Sequence, residues 1–230
     1  FQLVSYILGR CATVDEVKAE IARVHIHGFD PRSSTVHWRF AEPSGRQIVL
    51  EIIDGKCIFY ENNLGVLTNS PSFDWQLTNL NNYVNLLPGR TEPHTLGNMS
   101  LSSFGGGSAM IGLPGDFTPP SRFVRAAFFQ STAPLKPDAE GSVFTAFHIL
   151  GSMEIPIGAQ FPVDETPADI PSATQCTCVT DMSGLKFYYR SMYDGGIRCI
   201  DLKEIDFKKI GLKSEPLVPS KKEFVHHIRF

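Results

Sequence analysis

No apolar run in the sequence approaches the roughly 20 residues that a membrane-spanning helix needs, so no such span is expected. Charge of one sign is not in excess either. The formal net charge is −3, which gives no reason to expect nucleic acid or an anionic membrane as a partner. Cysteines are few, odd in number and scattered (Cys11, Cys57, Cys176, Cys178 and Cys199), which does not make a disulfide framework. Cys176-Thr177-Cys178 lacks a second Cys or His pair at zinc-finger spacing; on a strand its two thiols would simply share a packed face. His25-Ile26-His27 has the spacing of a metal pair but no carboxylate or cysteine partners nearby, and reads as ordinary loop. No metal and no cofactor is expected.

Two further motifs fail on inspection. Gly107 to Gly112 has the outer spacing of a phosphate-binding loop, but Leu113-Pro114 stand where Lys and Ser/Thr are required. Ser108 lacks the second glycine of a nucleophile elbow. There is no internal repeat. There is no signal peptide, an absence that says little in a chain opening at Phe1 without an initiator Met. The localisation therefore stays undetermined. What is present is globular: 42% hydrophobic and 20% charged residues, over a length of 230 that allows one large domain or two small ones.

In chain order, Gln2 to Arg10 reads as the end of a helix. Thr13 with Glu16 forms a capping box for a second helix whose face is Val14, Val17, Ile21 and Val24. From Thr35 the period becomes two. Strands are expected over 36–40, 47–53 and 56–61, with Asp54-Gly55 as a hairpin turn, and a fourth at Val66-Leu67-Thr68 after the turn Asn62 to Gly65. Residues 84–121 are punctuated by Gly and Pro, and a loop of that length is usually functional or an oligomer contact. Ser121 is placed to cap a helix carrying Phe123, Ala126, Ala127 and Gln130, and a second helix over 143–150 starts near Asp138. Met153 to Asp169 is Pro-rich connection. Strands at 174–180, 185–192 and 197–202 follow, the last two joined by a turn at 193–196. The lysines of the tail, Lys208, Lys209, Lys213, Lys221 and Lys222, read as a solvated face. Helices, antiparallel strands, helices and antiparallel strands in that order make an α+β fold of two sheets between helical layers.

One stretch organises the rest. At Asn69-Ser70-Pro71 the Val66–Thr68 strand must end, because Pro71 lacks an N–H and biases Ser70 away from helix. Phe73, Gln76, Leu77, Leu80 and Tyr83 then recur at helical spacing. Asn69 is thereby exposed at a sheet end, where catalytic groups tend to sit. Asn is also common in turns, since it tolerates unusual backbone angles and bonds its own backbone. Arg122 presents the same choice. A cation in the first turn of a helix opposes the dipole, so it either faces a site needing positive charge or is a solvent-exposed residue with no role.

The segment Leu67-Thr68-Asn69-Ser70-Pro71-Ser72-Phe73-Asp74-Trp75, with Asn79-Leu80 and Asn82-Tyr83, resembles the signature of the choloylglycine hydrolase family. That family comprises bile salt hydrolases and penicillin V acylases within the N-terminal-nucleophile hydrolases. A second match is Gly112-Leu113-Pro114-Gly115-Asp116 followed by Pro119-Pro120-Ser121-Arg122-Phe123-Val124-Arg125; Asn69 and Arg122 lie 53 residues apart, close to the family's spacing. The resemblance implies an αββα four-layer sandwich, with residues 1–230 as the downstream portion of a single domain, incomplete at its N-terminus. In the family an N-terminal cysteine attacks an amide carbonyl, with its own α-amine as base. The resemblance carries the oxyanion-donor role to Asn69 and the role of the cation beside the nucleophile to Arg122. It implies a small-molecule amide substrate, a conjugated bile acid or a penicillin-like compound. It also implies a homo-oligomer, a tetramer at full length, in which the loop from Leu86 to Pro114 is an assembly element through Leu96, Met99, Leu101 and Phe104.

The sequence departs from the family at its start. Phe1 is not Cys, nothing resembles the opening segment that carries the nucleophile, and Cys11 lies between helices without a free α-amine. The expectation is a fragment or one piece of a divided protein, inactive alone. The alternative is a non-catalytic module that keeps the fold for binding.

Overall fold

The two φ-positive residues of the Asp54-Gly55 turn, at 49° and 74°, close the first hairpin as the sequence predicts. The structure is a computed structural model describing residues 2–28, 36–165, 173–217, 222, 224–225 and 227–228. The expectations at Phe1, Thr35, the end of the 153–169 connection and Lys221 lie outside the described residues. The chain divides into two compact units, Phe1–Thr132 and Ala133–Phe230.

In the first unit, α1 (Gln2–Leu8) and α2 (Val14–Ile21) precede an antiparallel sheet of β1 (Trp38–Ala41), β2 (Gln47–Ile53) and β3 (Lys56–Glu61), in that order. The Thr13/Glu16 capping box is formed, and the backbone N–H groups of Ala12 and Thr13 together hold the Glu16 carboxyl below its usual pKa. Ile48 and Leu50 face Ile7, Val14, Val17 and Ile21 of the helices. Val49, on the opposite face, packs on Val66, Phe73, Phe123 and Ala127. A central strand covered on both sides cannot alternate, which is why Ile48-Val49-Leu50 runs as continuous apolar sequence. Full burial of each such side chain is worth about 1.5–3 kcal/mol.

After β3 come α3 (Phe73–Asn79), with a 3-10 turn Leu80–Tyr83, and later α4 (Pro119–Thr132). Several expectations change here. Residues 65–68 are not a strand, so the sheet has three strands and not four. The carbonyls of Leu64, Gly65 and Val66 are taken instead by the side chains of Gln130, Arg39 and Asn62. Of the predicted α3 face, Leu77 is exposed, leaving Phe73 and Gln76 as its buried residues. The long loop contains a small hairpin, β4 (His94–Leu96) with β5 (Met99–Leu101), turning at Gly97-Asn98. Ser121 is not the cap of α4. The helix begins two residues earlier at Pro119, where a fixed φ and a missing N–H suit the first turn.

In the second unit α5 (Ala139–Gly151) is capped by Asp138, whose carboxylate accepts from the Gly141 amide at 2.6 Å. Its Val143 and Phe147 pack on Tyr188 in a sheet of β6 (Cys176–Asp181), β7 (Lys186–Ser191) and β8 (Asp194–Asp201), in that order. The last turn is tighter than expected: Asp194 already pairs with Ser191, so Asp194-Gly195-Gly196 belongs to β8. Cys176 and Cys178 do share a face, as strand geometry requires, but both are exposed and not packed. Among the described residues, no helix is long and apolar enough to cross a membrane.

Candidate functional site

The two residues singled out in the sequence meet in space. Nη2 of Arg122 donates to Oδ1 of Asn69 at 2.8 Å across 53 residues of chain. A guanidinium carries only donors, so the amide atom facing it must be the oxygen. The Nδ2 group of Asn69 is therefore turned away from Arg122. It makes no hydrogen bond among the described residues, and Asn69 is exposed. The pair presents a neutral donor whose orientation is set by a fixed charge.

Each partner is anchored by its own surroundings. The carbonyl of Asn69 accepts from Nε2 of Gln76 at 3.3 Å, and the Thr68 hydroxyl donates to the Pro119 carbonyl at 3.1 Å. The first contact ties Asn69 to α3, and the second ties its neighbour to the start of α4. The Ser70–Pro71 peptide between Asn69 and α3 is cis. Just before Asn69 the chain passes close under α4. Gly65 holds φ +74°, and a Cβ there would stand 2.6 Å from Nε2 of Gln130, so glycine suits both the backbone and the approach.

Arg122 is half-buried, and its Nε donates to the Phe117 carbonyl at 3.0 Å. Burial, and secondarily the neighbouring charge of Arg125, pull its pKa down from the usual guanidinium value. The buried Arg125 donates through Nη1 to the carbonyls of Pro114 at 2.8 Å and Asp116 at 2.6 Å, and its guanidinium lies over the Phe117 ring. Asp116 accepts from the Ser121 hydroxyl at 2.6 Å and from the Thr118 amide at 2.9 Å. Those hydrogen bonds hold its carboxyl down at about 2. The result is a frame in which the turn 114–118 and the first turns of α4 fix one another, and Arg122 projects from it. Sequence reasoning gave Asp116, Arg125, Gln76 and Gly65 no part in supporting the site. The Asp116-x-Thr118 spacing ahead of Pro119-Pro120 was a visible helix-start signal. The reach of Arg125 back to Pro114 was not.

The family model described as linear amide C-N hydrolases, choloylglycine hydrolase family, matches residues 1–215. The chain belongs to this family. It is 36% identical over 210 residues to a bile salt hydrolase/transferase of Clostridium perfringens, covering 89% of this chain and 62% of that protein. It is 30% identical over 228 residues to a penicillin V acylase of Pectobacterium atrosepticum, covering 90% of this chain and 53% of that one. The fold matches the crystal structure of a mutant conjugated bile acid hydrolase from Clostridium perfringens with a TM-score of 0.79 and 31% identity, over 95% of this chain and 66% of that one. This family member thus spans less than two thirds of the Clostridium protein's length.

Proposed function

We propose that the protein hydrolyses the linear amide of a small molecule, a conjugated bile salt or a penicillin V-like acyl amide. Asn69 serves as oxyanion donor and Arg122 as active-site cation, with the N-terminal cysteine nucleophile upstream of Phe1. The observation that carries this reading is the 2.8 Å bond from Arg122 to Oδ1 of Asn69, which leaves the amide N–H group free to donate. As the thiolate adds to the substrate carbonyl, negative charge gathers on the carbonyl oxygen, and a donor already aimed there needs no reorganisation. Arg122, its charge partly stripped of solvent, favours the thiolate over the thiol. In this reading residues 1–230 are the downstream portion of one N-terminal-nucleophile hydrolase domain, and the two three-stranded sheets belong to its αββα sandwich. Assembly into a homo-oligomer falls to the 86–114 loop, where Leu96, Met99 and Phe104 are exposed.

The test uses the protein carrying its upstream segment. Asn69→Ala should lower kcat by about 10²–10³ with little change in KM, since the lost interaction forms in the transition state. If Asn69 only shapes the turn before Pro71, thermal melting will fall instead, and any lost rate will follow the unfolded fraction. A stable Asn69→Ala enzyme with near-normal kcat would sink the proposal.

A further inference from the structure

Glu51 is a buried carboxyl group that this chemistry leaves unused. It sits in β2 at 2% exposure. Its Oε1 accepts the amide of Phe73 at 2.8 Å and lies 2.9 Å from Nδ1 of His37, an ion-pair distance without hydrogen-bond alignment. Its Oε2 has no hydrogen-bond partner among the described residues. A half-satisfied carboxyl in a sheet centre is costly to keep, and apolar residues of similar volume often do better there. Burial accordingly raises its pKa, with His37 and the Phe73 amide opposing and Asp74 adding to the rise. For stability alone this is a poor choice of residue.

What Glu51 holds gives it a use. Phe73 supplies the first free N–H of α3, and Ser72 makes no side-chain cap bond to that helix. The sheet carboxylate takes the cap's place from 22 residues upstream. Asn69 lies one short turn before Phe73, and its carbonyl is held by Gln76 on the next turn of the same helix. His37, Glu51, Ser70 and Ser72 line one cavity of about 360 Å³, so the pair lies directly under the turn that follows Asn69. Arg122 fixes the Asn69 side chain from α4, Gln76 holds its carbonyl, and Glu51 fixes the Phe73 backbone at the start of that helix from the sheet.

The geometry points to Glu51, supported by His37, as a positioning residue for Asn69: it pins the start of α3 to β2 and so sets where the Asn69 amide donates. This rests on the reading of Asn69 as oxyanion donor. A misplacement of about 1 Å at a reacting group can cost on the order of 10²-fold in rate.

The experiment compares Glu51→Leu, Glu51→Gln, Asn69→Ala and the Glu51→Leu/Asn69→Ala pair in the protein carrying its upstream segment. Glu51→Leu should lower kcat about 10²-fold with KM nearly unchanged and no fall in the urea midpoint. Glu51→Gln keeps an oxygen for the Phe73 amide and should recover most of that loss. The double variant should be no slower than Asn69→Ala alone, because the two act through one group. Hydrogen exchange at the Phe73 amide should rise in Glu51→Leu and not in Glu51→Gln. If leucine is not accommodated, Glu51→Ser, too short to reach Phe73, serves in its place. A normal kcat in Glu51→Leu, or losses that multiply in the double variant, overturns the proposal. A slow Asn69→Ala beside a fast Glu51→Leu rejects the positioning role alone, whereas a fast Asn69→Ala rejects the oxyanion reading and this proposal with it.

Discussion

The two three-stranded sheets solve the burial problem differently. In the first unit β2 is covered by α1 and α2 on one face and by α3, α4 and the 64–67 segment on the other, and Ile48, Val49 and Leu50 are all 0% exposed. In the second unit α5 covers the face of Tyr188 and Val179. The opposite face leaves Cys176, Cys178 and Ile200 exposed, with Phe187 and Tyr189 half-buried and stacked on each other. The candidate site is built on the doubly covered sheet. Only there is a sheet centre dry enough for a carboxyl group such as Glu51 to act on a neighbouring helix from beneath, because burial is what makes its few contacts matter.

The sharpest way to break this comparison is to remove one apolar side chain from each sheet. Leu50→Ala should cost about 2–5 kcal/mol, since the cavity it leaves is enclosed on all sides. Ile200→Ala should cost about 1 kcal/mol or less, because the side chain is already 42% exposed. Urea unfolding of both variants measures the difference. Comparable losses would mean that the second sheet is as well covered as the first.

A smaller effect separates the units by pH. Four carboxyls of the first unit, Glu16, Glu42, Glu61 and Asp116, lie below their usual range; Glu61, bonded to Arg46 and Lys18, and Asp116 lie at about 2. A depressed folded-state pKa stabilises above the unfolded value of about 4, and the benefit disappears as pH falls towards 2. Glu51, with its raised pKa, runs the other way and loses its contribution as pH rises. Both tryptophans, Trp38 and Trp75, belong to the first unit, so tryptophan fluorescence reports on it alone. Between pH 4 and 2 the fluorescence-detected urea midpoint should fall. In Asp116→Asn it should start lower and fall less.

The smallest effect on stability is expected in the 86–114 loop of the first unit. Leu96 and Phe104 are 69% and 102% exposed, so serine at both should change stability by no more than about 0.5 kcal/mol each. In the protein carrying its upstream segment the same double substitution should lower the mass seen by light scattering. An unchanged mass would remove the loop from assembly.

Much of the fold was legible because its signals are local. The Asp54-Gly55 turn needs two positive φ values and set the inner ends of β2 and β3, whose bounds are those expected from the sequence. Thr13 with Glu16 marked the start of α2, and Asp138 that of α5. The same local rules misread residues 65–68. A β-branched run becomes a strand only if a neighbouring backbone accepts it, and here Arg39, Asn62 and Gln130 took the carbonyls. Asn69 and Arg122 were named from two motifs, and family membership rests on nearly the whole length of the match. That Oδ1 faces the guanidinium, that Arg125 clamps Pro114 and Asp116, and that Glu51 reaches Phe73 are matters of tertiary structure. The sequence by itself decided where α2, α5 and the β2–β3 hairpin begin, since those caps and that turn are satisfied within a few residues. Only the folded chain decided which way the Asn69 amide points, because that depends on donors 53 and 7 residues away, brought together by burial that no local pattern encodes.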